Sequence, residues 1–416
     1  MINKKNINVG IGFATGRKGF QKVLRSYIHN WRESGLVDNE NIMLNLFIAY
    51  DLSYSANTNV TDFTRILPEL NDQINSKKFI GNHCIKKETE GLIQRGILTA
   101  QEVGLLFKKG YAAKRNVVLY FAIKNKMDYL LFLDDDEYPV AVTKTKKTAV
   151  WGGQHVLSKH LEHLNESDIT HGRHCGYISP IPFIEYNDIM TESDFRTFIE
   201  AISNDILNWD KIKLVMEAGG VTYADTQILI NDYAFEVEEQ NRSKFISGSN
   251  LGINLRDPKR IFPFYNPPGA RGEDTFLSTC LSERKVVRVP CYTFHDGFST
   301  YNHLLEGVLP IKLKYIKADD EKIITRFYKA SLGWVRYKPL LTYITKPGSY
   351  EETIQEMRSQ LYDSVPKICE YFKQPDFMNV IKELDKYHKN VEKHYIEFQE
   401  TKKAWAKIMD YYAQES

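Results

Sequence analysis

The chain has 416 residues, 55 basic against 53 acidic, for a net charge of +2, a balance that argues against a general binder of nucleic acid or other polyanions. Its five cysteines are odd in number, scattered and without a Cys-x-x-Cys pair, which argues against a disulfide framework or zinc knuckle and for a reducing compartment. No apolar run approaches the ~20 residues of a spanning helix and no signal-peptide stretch opens the chain, so we expect a cytoplasmic protein that at most lies against a membrane.

Residues 7–14 read as a short apolar strand running into Thr15, Gly16, Arg17, Lys18 and Gly19, with a helix predicted over 20–31. Gly10, Gly12 and Gly16 miss the dinucleotide spacing, no acid follows where a ribose would want one, and no Gly-Lys-Ser/Thr closes a Walker loop. A tight strand-to-helix turn accounts for them equally well. Residues 42–50 are a second buried strand with Asp51 at its end. Polar residues 53–90 give loops, a short helix and a third strand near 78–80. Residues 110–126 form an amphipathic helix with Ala112, Val117, Leu119, Tyr120 and Ile123 on its apolar face. Lys114, Arg115 and Asn116 cluster near its start, where a helix N-terminus favours phosphate.

Residues 129–133 are apolar or aromatic and too few for a helix, so they read as a fully buried strand. Asp134, Asp135, Asp136 and Glu137 follow, and Pro139 stops the pairing. Carboxylates this crowded repel one another unless a cation sits among them, and open α/β sheets bind ligands at the carboxyl ends of their strands. Beyond come a Lys/Thr-rich loop to Trp151, a helix through Leu164, a strand over 169–181 and helix over 191–217. A Gly/Ser/Asn-interrupted strand follows at 244–254, then a Pro/Gly-rich loop at 261–271. Glu273 and Asp274 open a helix over 275–283, and a strand over 286–294 ends at His295.

The alternation predicts an α/β domain over 1–304, with a mixed, mostly parallel sheet flanked by helices. A helical C-terminal extension follows over 305–416. In it Phe377, Ile381, Leu384, His388, Val391, Tyr395, Phe398, Lys402, Trp405, Met409 and Tyr412 recur in 4-3 alternation. This predicts one long amphipathic helix, which could brace the domain, seam a homodimer through 377–412, or face lipid headgroups.

Singly, these residues have ordinary explanations: a helix-capping acid for Glu273 and Asp274, a structural histidine for His295, a turn residue for Asp51. Together they place acids and a histidine at the ends of strands expected side by side. Their order is Asp51, then Arg115 and Asn116, then Asp134 to Asp136, Ser249-Asn250-x-Gly252, Gly272-Glu273-Asp274 and His295. It resembles the nucleotide-sugar-dependent glycosyltransferases of the A-type fold, nearest the family-2-like group, over roughly residues 5–300. The first strand departs from that pattern in ending Thr15-Gly16-Arg17, and the second in ending Asp51-Leu52-Ser53.

The resemblance implies a hexosyltransferase-type enzyme moving one sugar from a nucleotide-diphosphate sugar to a glycan, a lipid-linked sugar or a small molecule. The Gln-x-x-Arg-Trp signature of processive synthases is absent, which fits single-sugar transfer. It implies Asp136 on Mn²⁺ or Mg²⁺, Asp134 near the metal or the ribose, and His295 completing the shell, where imidazole favours Mn²⁺. Thr15, Arg17, Asp51, Arg115, Asn116 and Asp135 would serve the nucleotide side. Asp274 would be the base of an inverting reaction, with Glu273 beside it. Trp151, Tyr177 and residues 265–271 are candidates for the acceptor site. Competing readings are a sugar nucleotidyltransferase, for which Gly10 to Lys18 is a poor basic loop, and a non-catalytic carbohydrate-binding or scaffold protein. A prenyl synthase would need its acids on helices, against the strand at 129–133 and Pro139.

Overall fold

The computed structural model describes residues 6–108, 110–203, 209–299 and 308–414. The strands are β1 (Ile7–Thr15), β2 (Ile42–Tyr50), β3 (Ser76–Ile80), β4 (Tyr129–Leu133), β5 (Glu137–Tyr138), β6 (Val140–Lys144), β7 (Ala149–Gly153), β8 (Ile169–Gly176), β9 (Phe235–Glu236), β10 (Glu239–Gln240), β11 (Ser243–Lys244), β12 (Leu251–Asn254) and β13 (Val286–His295). The main sheet runs β3-β2-β1-β4-β12-β8-β13-β5, with β9 also on β13. β1 is parallel to β2 and β4, β2 to β3, and β8 to β13. β12 alone is reversed in the middle, antiparallel to both β4 and β8. The long strands therefore bring their carboxyl ends to one edge, and Thr15, Asp51, Asp134 and His295 lie along it.

The helices of the α/β part are α1 (Phe20–Glu33), the single turns α2 (Thr61–Thr64) and α3 (Pro68–Asn71), α4 (Asn82–Gln94), α5 (Ala100–Phe107), α6 (Tyr111–Lys124), α7 (Val156–Leu164), α8 (Glu192–Ile202), α9 (Trp209–Glu217), α10 (Thr226–Asn231) and α11 (Glu273–Ser278). α1 and α7 bury Phe20, Tyr27, Trp31, Val156 and Leu164 with alternate residues of β1, β2 and β4 such as Ile11, Leu46 and Leu131. The remaining alternate residues, Phe47, Leu130 and Phe132, pack with α6 instead. Covered on both faces, β4 is buried at every position, which its run of Tyr, Leu and Phe allows.

The C-terminal helices are α12 (Glu321–Thr345), α13 (Tyr350–Phe372), α14 (Asn379–Lys389) and α15 (Val391–Gln414). The single helix expected over 377–412 is two helices, entered by a 3₁₀ turn at Pro375–Met378 and broken at Asn390, with φ −106° and ψ 12°. Its apolar stripe is inside the chain: Phe377, Leu384, Phe398 and Trp405 are each at most 2% exposed. Trp405, Ile408 and Met409 cover the α6 face of the sheet, while Phe377, Leu384 and Phe398 join α8, α12 and α13 around Phe276. The stripe braces the α/β part, and the surface that would have made a seam or a lipid face is already covered. The boundary expected at 304–305 lies outside the described residues.

Other expectations need correction. The stretch after Pro139, read as a loop, is the antiparallel hairpin β6–β7, and Glu137 and Tyr138 pair with His295 and Phe294 before it. β8 ends at Gly176, not 181, and α5 lies where no helix was expected. Among the described residues no helix is long and apolar enough to cross a membrane.

Candidate active site

The four acids after β4 lie in four different environments. Asp134 accepts from Tyr111 Oη at 2.7 Å and from Arg115 Nη2 at 3.0 Å. Asp135 accepts from Thr15 Oγ1 at 2.6 Å and lies 3.5 Å from Arg17 Nε. Asp136 takes a hydrogen bond from Arg17 Nη1 and lies 3.3 Å from His295 Nε2. Glu137 turns inward, 3% exposed, accepting from Ser249 and Thr293 hydroxyls at 2.9 Å each, with His174 Nδ1 at 3.2 Å.

These surroundings separate the acids' protonation. Burial pushes Asp135 up to about 6 despite Arg17. Burial pushes Asp136 the same way, but His295 and Arg17 outweigh it and hold this carboxyl far below the usual range. Burial alone would lower His295, yet Asp136 and Glu137 raise it to about 9. The ring donates from Nδ1 to the Tyr177 carbonyl at 2.8 Å, which leaves Nε2 facing Asp136. A backbone acceptor behind Nδ1 is the arrangement that orients a metal-ligating imidazole.

A divalent cation that replaced the proton on His295 Nε2 could be held between this nitrogen and Asp136. Asp134 Oδ1 is taken by Tyr111 and Arg115. Among the described residues no three His, Cys, Asp or Glu side chains form a ready chelate. Phosphate oxygens and water would supply the remaining ligands, as is usual for Mg²⁺.

Arg115 is 2% exposed and works from beneath the site. It touches Asp134, lies 3.4 Å from Glu273 Oε1 through Nε, and donates to the Gly248 carbonyl. Tyr111, Phe132 and Phe264 flank the guanidinium at 4.9–5.5 Å. Gly248 N in turn donates to Asp274 Oδ2 at 3.0 Å, and Thr275 N to Asp274 Oδ1 at 2.9 Å. Arg115 therefore ties the β4 acids to the Glu273–Asp274 turn and offers no free face to a nucleotide. Asn116 is 1% exposed and spends its amide on Phe264 N, Phe264 O and Leu106 O, so it clamps the 261–271 loop and is not a nucleotide contact.

Burial and the adjacent Asp274 push Glu273 up to about 7, and burial raises Asp274 as well. Gly272 makes this turn with φ +90°, and a Cβ there would come within 3.0 Å of Tyr337 on α12.

Asp51 accepts from Ser53 N and Oγ and lies 3.6 Å from Lys114 Nζ, at the open edge near Thr15 and Arg17. Of the acceptor-site candidates, Tyr177, Tyr265 and Trp151 spend their polar atoms inside the chain. Tyr177 is fully buried with its hydroxyl on Lys314 O. Tyr265 is 6% exposed and bonded to His394 O, and Trp151 packs on Phe294 and donates to Pro310 O.

Two residues at the site went unread in the sequence. Tyr54 is 65% exposed, and its ring lies where a Cβ on Gly16 would stand, 2.4 Å from Tyr54 Cβ. Arg326 on α12 donates to the Gly297 carbonyl beside His295. Neither carries a local motif; only the Gly-rich turn after β1 hinted that something lies over its backbone. The chain matches no known protein family, and no curated protein matches it.

Proposed function

We propose that the chain is a metal-dependent glycosyltransferase of the A-type fold that takes a nucleotide-diphosphate sugar as donor. The observation that supports it most is the Asp136–His295 pair, with Arg17 on the same carboxylate, at the carboxyl edge of the sheet. A nucleoside diphosphate leaves with negative charge that must be neutralised, and a cation with a guanidinium at a sheet edge does this. The run of parallel strands from β3 to β4, followed by reversed β12, supports the fold reading.

Asp136 and His295 would hold Mn²⁺ or Mg²⁺, whose contribution is to neutralise the departing diphosphate. Arg17, paired with Asp135 and Asp136 but with its side chain 40% exposed, would turn its guanidinium to the phosphates. Asp51, Lys114 and the Tyr54 ring line the nucleotide side. Asp274, fixed by two backbone N–H groups and raised by burial, takes the proton of the acceptor hydroxyl as it attacks the anomeric carbon. A base on the face opposite the leaving group inverts the configuration.

Nucleoside diphosphates should stabilise the protein thermally only with Mn²⁺ or Mg²⁺. Asp136→Ala should abolish that metal-dependent shift, and full shift in the variant or in excess chelator overturns the metal site. Asp274→Asn should bind donor as wild type does and lose about 10²–10⁴-fold in transfer; transfer at the wild-type rate rules out the base.

A further inference from the structure

Two arginines reach α12 near the candidate site, Arg326 from the helix itself and Arg271 from the loop before α11. Arg326 reaches the site from the first turns of α12. Its Cζ lies 3.9 Å from the Phe298 ring centroid, and it donates to the Gly297 carbonyl. A Cβ on Gly297 would stand 2.3 Å from Arg326 Nη2 and 2.6 Å from His295 Cε1. Only a glycine lets the arginine come up against the histidine.

Arg271 stands one residue before Gly272 and the Glu273–Asp274 turn. It lies across α12 at Gly333, where a Cβ would meet its Cγ and Cδ at 2.9 Å. Gly333 is two turns past Arg326 on the same helix face, ~10 Å along the axis. Among the described residues neither arginine has a carboxylate at ion-pair distance, and Arg271 is exposed. A half-buried guanidinium with no carboxylate at ion-pair distance is costly until an anion joins it.

Position decides which anion. Arg17 stands at the end of β1 with Thr15 and Asp51, on the nucleotide side. Arg271 adjoins the candidate base. We propose that Arg271 and Arg326 form an oxyanion subsite on the acceptor side, so that the acceptor carries a phosphate or carboxylate close to the hydroxyl that is glycosylated. This rests on the glycosyltransferase reading above. Two forked donors suit a phosphate or carboxylate bidentately, and a neutral acceptor would leave both guanidiniums unmatched.

The test uses the full chain saturated with a nucleoside diphosphate and Mn²⁺, then titrated with inorganic phosphate or, in a parallel arm, acetate. A further thermal shift that saturates with phosphate is expected for a phosphorylated acceptor, and one with acetate for a carboxylated one. Arg271→Gln and Arg326→Gln should each weaken that second binding by at least about tenfold while leaving nucleoside diphosphate affinity within about twofold. Arg271 is exposed, so its variant keeps the test valid even if Arg326→Gln does not fold. No second shift in the wild-type complex, or an undiminished one in Arg271→Gln, overturns the subsite. A tenfold loss of nucleoside diphosphate affinity in the variants also overturns it, assigning the arginines to the leaving diphosphate. Absence of any nucleoside diphosphate binding with Mn²⁺ removes the glycosyltransferase reading itself, and the subsite with it.

Discussion

His160 is fully buried on α7, where its Nδ1 meets Thr170 Oγ1 at 2.6 Å and its Nε2 meets Asn250 Oδ1 at 2.7 Å. Asn250 turns its amide nitrogen to the Arg173 carbonyl, so Oδ1 accepts and the ring proton sits on Nε2. No carboxylate bonds the ring, and burial, helped by His163, lowers its pKa to about 4. In the unfolded chain the same group takes its proton near 6.5. Between these values the unfolded state binds more protons, so stability is complete above about 6.5 and falls as pH drops toward 4. The loss is roughly 2 kcal/mol by pH 5. Urea midpoints at pH 7.5 and 5.0 should therefore diverge less in His160→Gln than in wild type. His171, also buried and lowered, leaves a residual slope of the same sign. An unchanged slope in the variant would refute the assignment. Residues that the sequence set at strand ends, Asp136 and His295, do lie together, 3.3 Å apart. The sequence reading failed for Arg115 and Asn116, because a residue near a helix start can point at a ligand or into the core. Only Phe132 and Phe264, far apart in the chain, decide that Arg115 points inward.

At the level of elements, what was legible follows from how local each signal is. β1, β2, β4 and β13 are mostly apolar runs that end in polar residues, and they lie where expected. The β6–β7 hairpin was hidden by its Lys and Thr content, although Val140, Val142 and Thr143 are β-branched and the turn over 145–148 is held by Thr145 Oγ1. The 4-3 alternation over 377–412 survives the break at Asn390 because α14 and α15 both present their stripe inward, so periodicity alone could not reveal two helices. β12 was the least legible strand. It is reversed, four residues long and interrupted by Gly252, whose missing side chain makes room for Thr170 Oγ1 and His160. That fit decides which register brings Ser249 to Glu137 and Gly248 to Arg115. Gly297 does the same for Arg326 and His295. The site depends on close approaches at glycines, and these carry no chemistry for a sequence reader to notice.

Taken whole, the helical region and the α/β part hold each other's core residues. Phe276 on α11 meets Tyr337 and Phe398, Tyr265 bonds His394 O on α15, and Trp405 lies with Phe264 and Leu281 against the sheet. α12 also carries Arg326 to the site, so the two parts share chemistry as well as packing. An extension merely tethered to a domain would bury its apolar stripe on itself and melt separately. Here Phe398 and Trp405, each at most 2% exposed, lose their cover if the α/β part opens, and Phe276 and Phe264 lose theirs if α15 leaves. The chain should therefore unfold in a single transition despite its length, with far-UV circular dichroism and tryptophan fluorescence superimposing along a urea titration. Trp31 and Trp151 report on the sheet while Trp334 and Trp405 report on the helical region, so the comparison samples both parts. Nucleoside diphosphate with Mn²⁺ should move both traces together, because a ligand at a shared site stabilises the whole cooperative unit. Two separated transitions, with ligand shifting only one of them, would mean that residues beyond 308 form an independent unit and that Arg326 is not held at the site by the fold.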